Sequence, residues 1–292
     1  MTISWLQDMD IMSESGGAQL TDRAHFYEGI RRGHDLELIT PQSQVNALPT
    51  PVVVSNASLF PLDLFQDLQR SGKPYIFFCH DYWPICKYRL YYPMADLCKS
   101  CYLKERWLPI LAGARLIIWL SPLHRESWLW LYPELASVPY HLAPSPVNPG
   151  KFRDLGGERQ GVVAVDSLAD FKGKKHVLKW AAEHPQVRVA FVGPANGAVL
   201  PANCRVLGWV PYSEMNQVYN HYEALLHLPQ SPSPFDRTTA EAYLAGCRII
   251  GNPLIGALSY PWFTSREEVA NHCRNSPREF WEAVEKVIQR LL

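Results

Sequence analysis

Short apolar runs alternate with longer amphipathic stretches along this chain of 292 residues. Strands joined by helical crossovers lie parallel, and a parallel sheet is covered on both faces. The alternation therefore predicts an α/β protein built on parallel sheets. The predicted strands are residues 36–39, 51–55, 75–79, 115–120, 161–166, 187–192, 204–207, 224–228 and 248–251, and the predicted helices include residues 19–32, 62–70, 175–184 and 212–221.

A proline-rich segment divides the chain near its middle. It contains Pro139, Pro144, Pro146 and Pro149, followed by Gly150, Gly156 and Gly157. This composition is typical of a domain boundary, and a chain of this length can form two hydrophobic cores. We predict an N-terminal domain of residues 1–150 and a C-terminal domain of residues 151–292.

The C-terminal segment has the pattern of an amphipathic helix. Ser276 and Glu279 form a capping-box pattern around Pro277, and proline suits the first position of a helix. Apolar residues then recur on one helical face. They are Phe280, Ala283, Val284, Val287, Ile288 and Leu291. We therefore predict that the last helix begins at Pro277.

Charge and hydropathy narrow the class of protein. Lys and Arg number 28, as do Asp and Glu, so no net basic charge draws the whole chain to nucleic acid or anionic lipid. The longest apolar stretch, residues 116–120, is too short to span a bilayer, and the acidic N-terminus does not resemble a signal peptide. Together with an odd number of cysteines, seven, these features predict a cytoplasmic location, with peripheral membrane association left open.

Residues 231–251 predict a loop, a helix and a strand in succession. Asp236 or Thr238 can cap a helix that starts near Thr239, and Gly246 ends it before a β-branched run. The start of this helix would lie at the carboxyl edge of a sheet, where its free N–H groups favour a phosphate. Glu241 could then accept hydrogen bonds from ribose hydroxyls. An ordinary strand–helix–strand unit explains the same pattern, so both interpretations stay open.

The same segment resembles a known family. Residues 233–246 have the sequence Ser-Pro-Phe-Asp-Arg-Thr-Thr-Ala-Glu-Ala-Tyr-Leu-Ala-Gly. This is similar to the nucleotide-sugar loop of retaining family 4 glycosyltransferases, Glu-Pro-Phe-Gly-Arg-Thr-x-x-Glu-Ala-x-x-x-Gly. Glu241 matches the family's second glutamate, which holds the ribose. Ser233 replaces the first glutamate, which touches the transferred sugar, and Asp236 replaces the glycine.

The resemblance implies the GT-B fold. In that fold two Rossmann-like domains have parallel sheets that face a central cleft, and the last helix returns toward the N-terminal domain. The N-terminal domain would lie on the acceptor side, and the C-terminal domain would bind the nucleotide sugar.

Two segments of the N-terminal half extend the resemblance. Gly16-Gly17-Ala18-Gln19 is similar to the family's Gly-Gly-Ala-Glu loop, which faces the donor phosphates and the acceptor, although a glycine pair is also common in turns. Residues 80–84 resemble the family's His-Asp-x-Trp-Pro turn, whose histidine lies near the sugar. The alternative for His80 and Asp81 is a pair that stabilises a loop.

Residues 163–173 resemble the family's Val-Gly-Arg-Leu-x-x-x-Lys-Gly segment, where an arginine and a lysine clamp the donor diphosphate. Lys172 keeps the lysine. Asp166 or Ser167 stands in place of the arginine, and Arg237 could compensate for that loss. A solvated loop lysine is the alternative for Lys172.

Residues 206–212 resemble Leu-Gly-x-Val-Pro, a backbone that receives the base in the family. Trp209 and Val210 are therefore expected at the base. For Trp209 a core aromatic position is the alternative.

Three cysteines follow the His80 turn with the spacing C-x11-C-x2-C, at Cys86, Cys98 and Cys101. Thiolates this close could hold a structural zinc ion with one further ligand. The candidates for that ligand are Cys79, His80 and His124. Because only one C-x2-C pair is present, free or partly buried thiols are the alternative.

The resemblance implies that a hexosyl or related group moves from a nucleoside diphosphate sugar to a hydroxyl of a glycan, lipid-linked or other acceptor, with retention. No cofactor or divalent metal is expected for the chemistry. The expected catalytic residues are His80, Lys172 and Arg237. The expected donor-binding residues are Gly16, Gly17, Trp209, Val210, Ser233, Phe235, Asp236, Thr238, Thr239 and Glu241.

Two other functions stay open. Ser233 and the missing arginine also fit a non-catalytic nucleotide-sugar-binding or partner protein on the same fold. A transferase for modified nucleic acid could use a groove of basic residues with aromatics between them, although a solvated surface gives the same pattern. These basic residues are Lys87, Arg89, Lys99, Lys104 and Arg106.

Overall fold

The structure is a computed structural model that describes residues 2–12, 16–43, 48–86, 102–169 and 172–290. The chain forms two compact units. Unit 1 comprises Met1–Pro146 and Asn275–Leu292, and unit 2 comprises Val147–Arg274. Within the described residues each unit contains a parallel β-sheet with helices along the chain between its strands. The predicted α/β fold is therefore confirmed.

The sheet of unit 1 has the order β2-β1-β3-β4-β5-β6, and all of these neighbours pair in parallel. Its strands are β1 (Thr2–Leu6), β2 (Asp35–Ile39), β3 (Val52–Val54), β4 (Tyr75–Cys79), β5 (Leu116–Trp119) and β6 (Tyr140–Leu142). Strands β3 to β5 are buried along their whole length, as expected of a sheet covered on both faces. The apolar runs missed β1, which carries the polar Ser4, and β6, which carries the polar His141.

An aromatic cluster packs the helices of unit 1 onto this sheet. The helices of unit 1 include α1 (Gly17–Arg31), α2 (Leu62–Arg70), α3 (Tyr102–Ala112) and α4 (Pro122–Leu131). The ring of Trp107 on α3 lies 5.1 Å from that of Phe65 on α2 and 4.7 Å from that of Trp83. Because Trp83 follows β4 by a few residues, this packing fixes the turn that contains His80.

The sheet of unit 2 has the order β11-β10-β7-β8-β9, again with parallel neighbours. Its strands are β7 (Val162–Val165), β8 (Val189–Val192), β9 (Cys204–Gly208), β10 (Ala224–His227) and β11 (Arg248–Gly251), and its helices include α5 (Lys174–Glu183), α6 (Met215–Asn220) and α7 (Arg237–Leu244). The core lies where Val177 and Ala181 of α5 pack on Val162, Phe191 and Leu226 of the sheet.

The last helix, α8, spans Arg266–Gln289 and runs through Pro277 without a break. The prediction that it begins at Pro277 is wrong. Ser276 is fully buried and donates its hydroxyl to the carbonyl of Pro144 at 2.5 Å instead of capping a helix. An internal proline removes one helical hydrogen bond, but Trp281, also fully buried, anchors the helix by donating to the carbonyl of His25 at 2.6 Å. In the described ranges, neither α8 nor any other helix is long and apolar enough to cross a membrane.

Candidate functional site

The predicted donor residues of unit 2 lie at the carboxyl edge of its sheet. Asp166 directly follows β7, His227 ends β10, and residues 228–236 connect β10 to α7. In open α/β sheets ligands bind at this edge. The fold thus brings the separate sequence motifs of unit 2 to one end of the sheet.

Asp236 occupies a position that favours glycine. Its φ is +70°, in the left-handed region, which Asp tolerates better than most residues. Its carboxylate accepts a hydrogen bond from Ser233 and has Oδ1 3.0 Å from Nε2 of His227. The contact between His227 and Asp236 has the distance but not the angle of a hydrogen bond. It is therefore an electrostatic contact. Burial raises the pKa of Asp236, but His227 and Ser233 outweigh burial and hold it below its usual range.

Helix α7 begins two residues earlier than predicted, at Arg237. Asp236 stands at its N-cap position, as one of the two predicted caps, but makes no side-chain cap hydrogen bond. The carboxylate points instead to Ser233 and His227. The N-terminus of α7 therefore keeps its partial positive charge without a side-chain cap.

Lys172 is paired with Asp166, one of the two residues that could stand in place of the family's arginine. Its Nζ forms an ion pair with Oδ2 of Asp166. Both side chains remain partly exposed, 39% and 48% respectively, so solvent and ligands can compete for this contact. Gly173 fixes the loop, because its φ is +93° and a Cβ there would lie 2.0 Å from the carbonyl oxygen of Leu228. A single cation with an acidic partner thus stands where the family has two cations.

Glu241 is held through one oxygen. Tyr212 donates its hydroxyl to Oε1 at 2.9 Å, and Nη2 of Arg237 lies 3.3 Å from the same oxygen. Arg237 also donates to the hydroxyl of Tyr212 at 3.0 Å, which closes a triangle. Burial lowers the pKa of Arg237, but the charge of Glu241 and the contacts with Tyr212 together outweigh burial, and the pKa is raised. Oε2 of Glu241 makes no hydrogen bond to the residues that the structure describes.

The other donor-binding candidates of unit 2 differ in exposure. Phe235 is 1% exposed and packs near Tyr260, with ring centroids 6.3 Å apart, so its side chain belongs to the core. Thr239 is fully buried, and its hydroxyl has no partner among the described residues. Thr238 and Val210 are half-buried. Trp209 directly follows β9 and is 79% exposed, so the alternative that it is a core aromatic is wrong.

A pocket of about 530 Å³ opens beside this edge, at the end of β11. It is lined by Ile249, Gly251, Asn252, Pro253, Leu258 and Ser259. It contains none of the predicted site residues.

In unit 1, His80 directly follows β4 and lies in a buried polar cluster. Its Nε2 lies 2.9 Å from Oδ1 of Asp22 and 3.0 Å from the hydroxyl of Ser55. Ser55 donates to Asp22 at 2.7 Å, and the side-chain amide of Gln7 also donates to Asp22. Gln7 and Ser55 follow β1 and β3, and Asp22 lies on α1. Sequence reasoning missed all three partners.

Asp81 is not the partner of His80. Its carboxylate accepts a hydrogen bond from the backbone N–H of Trp83 at 2.7 Å and so closes the turn after β4. The alternative of a His80–Asp81 pair that stabilises a loop is therefore wrong. An acidic residue 58 positions away takes that place.

Gly16 and Gly17 stand at the start of α1. Gly16 is the N-cap residue with an extended backbone, and Gly17 is exposed. A Cβ on Gly16 would meet only the flexible end of Gln19, at 2.4 Å. Backbone geometry therefore does not require glycine at this position.

The metal prediction is only partly covered by the structure. Cys86 is half-buried, whereas Cys98 and Cys101 lie outside the described residues. Burial lowers the pKa of His124 to about 3, and its Nε2 accepts a hydrogen bond from Trp128 at 3.0 Å, so that nitrogen is not free for zinc. Among the described residues, no group of three or more His, Cys, Asp or Glu side chains could hold a metal ion. Zinc binding stays a prediction.

One Asp-x-Asp sequence, residues 8–10, follows β1. Asp8 accepts hydrogen bonds from the backbone N–H groups of Ser58 and Leu59 at 2.9 Å and 2.7 Å. Asp10 accepts one from Met12 at 2.8 Å. The two carboxylates therefore stabilise the loops after β1 and β3 by accepting hydrogen bonds from their backbone.

The basic residues of the nucleic-acid alternative are also partly covered. Lys87, Arg89 and Lys99 lie outside the described residues. Nζ of Lys104 lies 3.2 Å from Glu134, and Arg106 is exposed. This geometry gives no support to a binding groove.

Comparison with known proteins supports the resemblance. Residues 172–291 match the sequence profile of a family described as glycosyl transferase-like. No curated protein matches the chain. The chain is similar in structure to sucrose-phosphate synthase from Thermosynechococcus elongatus, with 15% identity, a TM-score of 0.65, and coverage of 100% of this chain and 98% of that one.

Two further structures are similar to the chain over almost its whole length. The trehalose-6-phosphate synthase OtsA has 10% identity, a TM-score of 0.64 and coverage of 98% and 99% of the two chains. HepE from Anabaena in complex with UDP-glucose has 15% identity, a TM-score of 0.58 and coverage of 100% and 99%. At these identities the likeness establishes the fold, which covers the whole chain.

Proposed function

We propose that this chain, which has the GT-B fold of glycosyltransferases, moves a glycosyl group from a nucleoside diphosphate sugar to an acceptor hydroxyl, with retention and without a metal ion in the chemistry. The proposal rests chiefly on Glu241. Tyr212 and Arg237 hold its Oε1 and leave Oε2 as an acceptor. A fixed, buried carboxylate with one open oxygen suits the two hydroxyls of a ribose.

The diphosphate would bind beside this carboxylate. The N-terminus of α7 supplies a partial positive charge. The backbone N–H of Thr239 already donates to the carbonyl of Asp236 at 3.1 Å, so the N–H of Thr238 is the proposed phosphate donor. Lys172 supplies the matched side-chain cation and would exchange Asp166 for a phosphate oxygen. Arg237 acts in this proposal by orienting Glu241, because its guanidinium already contacts that carboxylate and Tyr212.

A uridine nucleotide is the first donor to test, because HepE was solved with UDP and with UDP-glucose. The exposed indole of Trp209 offers a face on which a base can stack. His80 of unit 1 is proposed to contact the transferred sugar, as the resemblance implies.

A transfer assay with a panel of nucleoside diphosphate sugars tests the proposal. We expect a product that keeps the anomeric configuration of the donor, as read by NMR, and activity that survives EDTA. An inverted product or loss of activity with EDTA contradicts the corresponding part of the mechanism. Glu241→Gln serves as the control, because it changes the proposed ribose-binding carboxylate and should lower the rate of transfer.

A non-catalytic nucleotide-sugar-binding protein is the second candidate. It is favoured by Asp166, which neutralises the single matched cation, and by Ser233, which replaces the family's first glutamate. Tight binding of UDP, with neither transfer nor hydrolysis of any donor, would support this candidate over an enzyme.

A further inference from the structure

The hydrogen bonds around Asp22 determine which nitrogen of His80 carries a proton. The starting point is the backbone N–H of Asp8, which can only donate and which contacts Oε1 of Gln7 at 2.8 Å. This contact fixes the orientation of the Gln7 amide. Its Nε2 must therefore point to Asp22 and donate to Oδ2.

Two more side chains contact the carboxylate of Asp22, and both lie within hydrogen-bond distance of Oδ1. Ser55 donates its hydroxyl proton to Asp22, at 2.7 Å from Oδ1 and 2.8 Å from Oδ2. Nε2 of His80 lies 2.9 Å from Oδ1. Asp22 is fully buried, and donors on both oxygens suit an ionised carboxylate, which has no proton to give. Nε2 of His80 must then be the donor.

The other ring nitrogen is left without a protein partner. Nδ1 of His80 makes no hydrogen bond with the residues that the structure describes. A neutral imidazole that donates through Nε2 carries a lone pair on Nδ1 and can only accept there. Such an acceptor binds a hydroxyl but repels a phosphate or carboxylate oxygen.

We propose that Asp22 is a positioning residue that keeps the proton of His80 on Nε2, so that Nδ1 accepts a hydrogen bond from a substrate hydroxyl. This inference rests on the proposed function only for the identity of the substrate. Gln7 and Ser55 complete this hydrogen-bond network. Gln7 orients the carboxylate of Asp22, and Ser55 adds a second donor to it.

The protonation of His80 can be measured without any substrate. In the full chain with 15N-labelled histidine, long-range proton–nitrogen NMR distinguishes the two neutral forms and the imidazolium. The His80 signals are those that vanish in His80→Gln. We expect a protonated Nε2 and an unprotonated Nδ1 at neutral pH. A proton on Nδ1, in either form, overturns the proposal.

Asp22→Asn should change which nitrogen of the His80 ring carries the proton. Gln7 still donates to this site, so the carbonyl of the new amide faces Gln7 and its NH2 faces His80. Nε2 of His80 must then accept, and the proton moves to Nδ1. We expect this reversal in the NMR spectrum and a roughly 10- to 100-fold loss of kcat/KM for transfer, the scale of one lost substrate hydrogen bond, with UDP binding unchanged.

Two controls separate this effect from structural damage. Asp67→Asn makes the same change on an exposed carboxylate of α2 and should alter neither the NMR spectrum nor transfer. Ser55→Ala removes one donor but leaves the contact between Asp22 and His80, so the proton should stay on Nε2. If Asp22→Asn keeps the wild-type protonation of His80, Asp22 does not control it. Absence of transfer by the wild-type protein would contradict the proposed function and leave the NMR result intact.

Discussion

Glu241 provides the sharpest test at the scale of single residues. Glu241→Gln keeps the shape of the side chain but removes the charge from the oxygen proposed to hold the ribose. Losing charge-assisted hydrogen bonds costs roughly 1.5–3 kcal/mol, so we expect UDP to bind about 10- to 100-fold more weakly by calorimetry. Tyr212→Phe removes its hydrogen bond to Oε1 and the one that it accepts from Arg237, but it keeps the charge of Glu241 and should weaken binding less. Equal affinity of Glu241→Gln and wild type would contradict the ribose assignment.

Asp166 and Lys172 should have opposite effects on the donor. Asp166→Asn releases Lys172 from its ion pair, so we expect UDP to bind roughly two- to fivefold more tightly, an effect that salt reduces because both groups are partly exposed. Lys172→Ala should lower turnover by roughly 10²–10³, because charge on the leaving diphosphate grows toward the transition state.

The control for this pair is Glu183→Gln, which removes an exposed carboxylate 3.8 Å from Lys179 in the same unit. It should change neither affinity nor turnover. Weaker UDP binding by Asp166→Asn would show that Asp166 supports the donor site instead of restraining Lys172.

The sequence reveals single site residues better than it reveals their partners. His80 and Glu241 stand in short motifs, so the place of His80 directly after β4 and that of Glu241 on the helix after the β10 loop could be predicted. Asp22 contacts His80 from 58 residues away, and Tyr212 contacts Glu241 from 29 residues away. No local spacing encodes such contacts, because they depend on how the helices pack on the sheets.

At the scale of elements, buried strands are the most predictable part of the fold. Strand β4 and helix α2 have the predicted bounds, since each combines a clear apolar pattern with turn residues at both ends. The start of α8 was not predictable. A serine, a proline and a glutamate form a capping pattern at Ser276, yet tertiary contacts of Ser276 and Trp281 keep the helix continuous.

Pro277 in α8 should cost stability. An internal proline lacks the N–H that would bond the carbonyl four residues earlier. Replacing it by alanine restores that bond, at some cost from a more flexible unfolded chain. We expect Pro277→Ala to raise the free energy of unfolding by about 1–2 kcal/mol in urea titrations. Arg278→Ala, at the exposed neighbour, should change it by less than about 0.5 kcal/mol. A destabilised Pro277→Ala protein would mean that the packing of α8 requires the proline.

At the scale of the whole molecule, the fold likeness is far stronger than the sequence likeness. The chain covers the structures that it resembles almost completely at identities of 10–15%. The predicted GT-B fold is therefore confirmed, whereas membership of family 4 stays a prediction. The departures from the family pattern include Asp166, Ser233 and Asp236, and the fold forms with all three in place.

Two buried histidines should make the stability of the molecule depend on pH. Burial lowers the pKa of His25 to about 4 and that of His124 to about 3, below the value of about 6.5 in an unfolded chain. Above pH 6.5 both states leave these rings neutral. As the pH falls below about 6.5, each of these histidines binds a proton in the unfolded chain but not in the folded protein. Each should therefore lower the free energy of unfolding by about 1.4 kcal/mol per pH unit.

His25→Phe isolates one of these contributions. The His25 ring packs 5.1 Å from the Phe78 ring and 4.5 Å from the Phe280 ring, and its Nε2 has no hydrogen-bond partner among the described residues, so the shape of phenylalanine suits the site. The substitution removes the hydrogen bond between Nδ1 and the carbonyl of Thr21 at 2.8 Å, which lowers the stability at every pH and leaves the pH slope as the readout. Between pH 6.5 and 4, the free energy of unfolding of His25→Phe should fall less steeply than that of wild type, by about 1.4 kcal/mol per pH unit. Urea titrations at several pH values measure both slopes, with His221→Phe on an exposed position as the control. Identical slopes would show that His25 takes up a proton in the folded protein, which would contradict a neutral His25 ring.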